Sequence, residues 1–123
     1  MTNDEFKKEL EQRTKRFAVE LLNWLVTLPG NRVVGAVVTQ LAKSGPSVGA
    51  NYREANRAES HADFAHKIGI VEKEANETVY WFEVLMESAL LSNDRKGTGA
   101  VLHTEANELL KLFSSISRSS RSK

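Results

Sequence analysis

The chain has 123 residues, enough for one hydrophobic core, and its 41% hydrophobic and 27% charged residues are the proportions of a folded domain, not a disordered segment. It contains no cysteine, which excludes disulfide frameworks, thiolate metal sites and cysteine nucleophiles and suits a reducing compartment. Net charge is only +1, yet residues 1–31, 32–58, 59–91 and 92–123 carry 0, +3, −5 and +3; a basic second quarter precedes an acidic third that can neutralise it within or between subunits.

The first segment begins acidic and polar, without a basic lead into an apolar run, so no signal peptide is read. No window of about eighteen apolar residues offers a membrane span, and a cytoplasmic location is the default. Phe6, Leu10, Phe17, Leu21, Trp24 and Leu28 recur at spacings of three, four or seven, which predicts an amphipathic helix capped by Asn3 or Asp4 and ended by Pro29-Gly30-Asn31. Asp4 with Lys8, Glu9 with Arg13 and Glu11 with Lys15 form acid-first i,i+4 pairs on its solvated face.

A second helix follows from Val34, Val38, Leu41, Gly45, Val48, Tyr52 and Ala55, one seam held over three heptads. Pro46 removes a backbone donor inside it, but the apolar register continues on both sides, so a bent single helix is expected rather than two. The third helix carries Phe64, Ile68, Val71, Ala75, Phe82, Leu85 and Ala89 on one stripe behind a Ser60 cap. Residues 92–97 read as a turn, followed by a shorter fourth helix with Leu102, Ala106, Leu109, Phe113 and Ile116. Residues 1–116 form the domain in this reading, and the Ser, Arg and Lys tail 117–123 is expected to be disordered.

Four such helices with short connections predict an all-α, antiparallel up-and-down four-helix bundle. Ala18, Leu22, Leu25 and Val26 beside the first stripe, with Val79, Tyr80 and Val84 beside the third, widen the apolar arc beyond the needs of a monomer. A homo-oligomer is therefore expected, with Leu22, Tyr80 and Val84 at its interface.

Catalytic patterns are absent from the sequence. A di-iron bundle requires two Glu-x-x-His motifs, against which the chain offers one Asp63-x-x-His66. Some four-helix nucleases place four to six residues between an arginine and a histidine; Arg57 and His61 have three between them and miss the motif by one. No phosphate loop, nucleophile elbow or dinucleotide fingerprint is present. The expectation is a protein without catalytic residues, metal, cofactor or small-molecule substrate. Asn51, Glu54, Lys67, Glu74 and Glu77 lie beside the bundle seam, where unpaired polar groups are costly, and suggest inter-helix hydrogen bonds that fix register.

The run Gln40-Leu41-Ala42-Lys43-Ser44-Gly45-Pro46-Ser47-Val48-Gly49-Ala50-Asn51-Tyr52-Arg53-Glu54-Ala55 resembles the signature of the 23S ribosomal RNA intervening-sequence proteins, often called four helix bundle proteins. Arg16-Phe17-Ala18, Leu28-Pro29, Ala62-Asp63-Phe64, Lys67, Lys73-Glu74-Ala75 and Glu77-Thr78-Val79-Tyr80-Trp81 extend the resemblance over residues 6–115. It implies a ring-shaped homo-oligomer, commonly a pentamer. It also implies kinship to the accessory protein of diversity-generating retroelements, where a basic barrel engages RNA and a reverse transcriptase. The expected role is a non-enzymatic accessory protein that binds RNA or a nucleic-acid-processing protein, with Lys43, Arg53, Arg57, Arg118, Arg121 and Lys123 contacting phosphates. The alternative is an interaction module without nucleic-acid affinity, with an RNA-processing enzyme as a minor third.

Overall fold

The computed structural model describes residues 2–122 and contains four helices: α1 (Asn3–Leu25), α2 (Arg32–Ala55), α3 (His61–Glu87) and α4 (Asn93–Arg121). Each helix packs on its chain neighbours, and α1 also meets α4, more lightly, to close the bundle. The hydroxyl of Thr2, the amide oxygen of Asn31 and the hydroxyl of Ser60 accept from the backbone N–H three residues on and cap the first three helices. The first cap is therefore Thr2, ahead of the expected Asn3 or Asp4.

The stripes meet in one core. Phe17, Leu21, Leu41, Ile68, Phe82 and Phe113 are completely or almost completely enclosed. Aromatic rings cross both diagonals, with centroids 6.4 Å apart for Phe17 and Phe82 and 5.1 Å for Tyr52 and Phe113. Pro46 sits inside the continuous α2, and Val34, Leu41, Gly45, Val48, Tyr52 and Ala55 are buried on both sides of it. Gly45 and Gly49 let α2 approach α1 closely: a Cβ on Gly45 would collide with Leu21 Cδ2, and one on Gly49 would lie 2.8 Å from Thr14 Oγ1.

Several boundaries differ from expectation. The fourth helix is the longest, 29 residues, and takes in residues 93–97 of the expected turn, with Ser92 as its N-cap. Its first turns are held from outside: Trp24 Nε1 donates to the Arg95 carbonyl at 3.0 Å, Lys96 Nζ donates to the Ser88 carbonyl at 3.1 Å, and Gly99 lies directly against the Trp24 ring. The chain stays helical through residues 117–121, where the sequence suggests disorder, because Ser117 and Ser120 are small enough to be buried. Ser120 Oγ donates to the Ser117 carbonyl, Arg121 Nη1 donates to Ser117 Oγ, and the Ser120 carbonyl meets His61 Nε2 at 2.8 Å.

The supposed second apolar strip is also narrower. Leu25 and Val79 belong to the core, and Ala89, expected on the core stripe of α3, is exposed instead. On α1, Val19, Leu22 and Val26 remain in solvent, Val26 at 83% exposure, together with Val33 on α2, Tyr80 on α3 and Val101 on α4.

Candidate nucleic-acid interface

The antiparallel order brings the start of α1, the end of α2, the start of α3 and the end of α4 to one end of the bundle. Four of the six cations singled out from sequence lie there: Arg53 and Arg57 around the end of α2, and Arg118 and Arg121 in the last turn of α4. Lys43 lies two to three turns away along α2, and Lys123 falls outside the described residues.

Their electrostatic settings differ. Arg53 Nε is 3.8 Å from Glu11 Oε1 and Arg121 Nη1 is 4.0 Å from Glu72 Oε1, both long, solvent-exposed pairs. Arg57, Arg118 and Lys43 are exposed, and among the described residues none has a carboxylate within ion-pair distance. Arg118 and Arg121 also complement the negative end of the α4 dipole. The basic α2 and acidic α3 are not joined by any ion pair among the described residues; their complementarity acts at longer range, through Lys43 near Glu74.

The five seam polar residues do not form the expected inter-helix network. Asn51 Nδ2 donates to the Ser47 carbonyl and Lys67 Nζ to Asp63 Oδ2 at 3.0 Å, both within their own helices, while Glu54 and Glu77 face solvent. Helical spacing offers each long side chain a partner one turn away, and that local bond replaces a contact across the seam. Glu74 is half-buried: burial first, and then the neighbouring Glu77, push its carboxyl above the ordinary carboxylate range, against the pull of Lys73 and Lys43. The Asp63 carboxyl is held low by Lys67 first and then by the Glu59 N–H.

The strongest polar contact was not legible as a pair. Arg13, expected to pair with Glu9, instead forks onto Glu105 across the α1–α4 seam, with Nε to Oε2 and Nη2 to Oε1 both at 2.7 Å. The hydrogen bond to Glu105 raises the guanidinium pKa still further. Glu11, expected on Lys15, accepts from Asn56 Nδ2 at 2.9 Å and faces Arg53. Ninety-two residues separate Arg13 from Glu105, so only the fold brings them together.

Between the four helix ends lies a cleft of about 490 Å³ lined by residues of every helix, among them Phe6, Lys7, Tyr52, Asn56, His61 and Phe64. Burial pushes the Tyr52 phenol up, and the adjacent Asn56 amide offsets part of that rise. His61, one residue short of the nuclease spacing from Arg57, is occupied in holding the Ser120 carbonyl. His103 lies flat on Phe82, with centroids 5.7 Å apart. Among the described residues, no three His, Asp or Glu side chains converge as a metal site, and no helix is long and apolar enough to cross a membrane.

Comparison with known proteins follows the same outline. The family model of the 23S rRNA-intervening sequence protein matches residues 7–115. The chain is 33% identical to a protein of unknown function from the S23 ribosomal protein family of Bacteroides thetaiotaomicron. Its crystal structure superposes with a TM-score of 0.77 over 91% of this chain and 97% of that one. No curated protein matches.

Proposed function

The chain belongs to the 23S rRNA-intervening sequence protein family, and from that premise we propose that it is a non-enzymatic accessory factor that binds RNA as a ring-forming homo-oligomer. One observation carries the reading: Arg57 and Arg118, exposed and without an ion-pair partner among the described residues, share one end of the bundle with the loosely paired Arg53 and Arg121. Cations not committed to carboxylates are free to neutralise phosphates and release their counterions. Repeated around a ring, one such end per subunit makes a basic annulus from a chain whose net charge is only +1.

A salt titration of RNA binding tests this. Affinity falls linearly on a log–log plot as salt rises, and Arg57→Gln with Arg118→Gln reduces the slope by about one per phosphate contact removed. Absence of binding at low salt refutes the RNA reading.

The ring rests on the exposed apolar side chains. Leu22 and Tyr80 are 41% and 55% exposed, Val84 is half-buried, and Val19 and Val26 extend the α1 face. Light scattering then returns a multiple of 13.7 kDa near five, and Tyr80→Glu with Val84→Glu dissociates it. The same surface favours a second reading, a protein-interaction module with no affinity for nucleic acid, which stands if assembly persists and RNA binding does not.

A further inference from the structure

The cleft at the basic end has the composition of a base pocket. Phe6, 38% exposed, and the half-buried Phe64 supply ring surface at its mouth and wall, and Tyr52 lies buried beneath. Polar edges accompany the rings. Asn56 is oriented by the bond from its Nδ2 to Glu11, which leaves its Oδ1 enclosed and without a donor. The Ser120 carbonyl takes up His61 Nε2 and so leaves Nδ1 of the neutral ring as a free acceptor. Asn56 Oδ1 is closed off from the cleft surface, so the acceptor that a ligand N–H can reach there is His61 Nδ1.

Cations accompany the pocket on α1, on α4 and in the turn that follows α2. Lys7 lines it, Arg57 directly follows Asn56 in the chain, and Arg118 directly precedes the lining residue Ser119. Rings that stack on a base, an acceptor for an exocyclic or imino N–H group and cations for the flanking phosphates are together what unpaired nucleotides require. A paired base cannot enter such a cleft, because both its faces and its hydrogen-bonding edge are occupied in the duplex.

We propose that this four-helix cleft binds one unpaired nucleotide of an RNA strand, so that the protein selects single-stranded RNA or exposed loops over duplex. The assignment rests on the RNA-binding reading above and adds the form of RNA that is taken.

The test is fluorescence anisotropy on the full chain with a labelled, unstructured RNA oligonucleotide, free and annealed to its complement, at one low salt concentration. The single strand binds tighter by about tenfold, the scale of one stacked base. Phe6→Ala, at an exposed ring, and Ser119→Phe, which fills the cleft from an exposed serine, each bring single-strand affinity down to the duplex value and leave duplex affinity unchanged. Arg57→Gln with Arg118→Gln weakens both. Equal wild-type affinity for the two forms overturns the cleft assignment while leaving RNA binding in place, as does a preference that survives both cleft variants. No binding to either form overturns the cleft and the RNA-binding reading together.

Discussion

Replacing Gly49 by alanine tests the close approach of α2 to α1. In an unobstructed helix the exchange is favourable by about 0.5–1 kcal/mol, because alanine loses less backbone freedom on folding. At Gly49 the new methyl carbon would stand 2.8 Å from Thr14 Oγ1, 3.0 Å from Thr14 Cβ and 3.4 Å from the Thr14 carbonyl carbon. Thr14 has little room to move: it is 1% exposed and its hydroxyl donates to the Leu10 and Glu11 carbonyls, both at 3.0 Å. Overpacking of this kind costs about 1–3 kcal/mol, which outweighs the gain and leaves a net loss of roughly 0.5–2 kcal/mol. Gly69, also within a helix, has nothing within 4 Å of its would-be Cβ, so Gly69→Ala stabilises by about 0.5–1 kcal/mol. Thermal melts at fixed protein concentration separate the two variants in opposite directions, by roughly 3–5 °C per kcal/mol for a chain of this length. Adding Thr14→Ala to Gly49→Ala makes room for the methyl, so the double variant is less destabilised than the sum of the singles. A Gly49→Ala protein as stable as Gly69→Ala refutes the close packing.

Glu74 gives a pH dependence with a defined sign. Its folded carboxyl titrates above the ordinary value of 4.5, so the folded state holds more protons than the unfolded one and this group's contribution falls as pH rises through that interval. Glu74→Gln removes that slope and raises stability at neutral pH, as denaturant titrations at several pH values would register. Arg13→Lys keeps the charge but loses the fork onto Glu105; it destabilises by about 0.5–1 kcal/mol, and a double-mutant cycle with Glu105→Gln returns a coupling of that order. Ile68→Ala and Phe82→Ala, both at fully enclosed positions, each cost about 2–5 kcal/mol in chemical unfolding, whereas Lys111→Ala on the exposed face of α4 changes stability by less than about 0.5 kcal/mol.

Local periodicity made much of the fold legible. Ile68, Val71, Ala75, Phe82 and Leu85 are buried at the spacing the sequence displays, and Ser60 caps its helix as its position suggests. The α4 boundaries were hidden because tertiary contacts override local preference: Asn93 to Gly97 look like a turn until the Trp24 indole holds the Arg95 carbonyl. Ser117 and Ser120 look like tail until the bundle encloses them. The division of each apolar arc into core and surface was equally hidden, since Leu25 is buried while its neighbour Val26 is exposed, and only the neighbours' positions decide which. Of the site, the cations could be named from sequence, but their convergence with Phe6, His61 and Phe64 depends on four helix ends meeting, which no local pattern encodes.

The light packing of α1 on α4 sets an order of opening. Helices α2, α3 and α4 are joined by broad contacts, while the lighter α1–α4 seam carries the Arg13–Glu105 fork and the Trp24–Arg95 bond. The first helix can therefore swing outward about its junction with α2 before the remaining three separate, a sub-global opening of the kind amide exchange resolves. Its amides are expected to lose protection ahead of those in α3, and the wall of the cleft that carries Phe6 and Lys7 is then the one most able to yield.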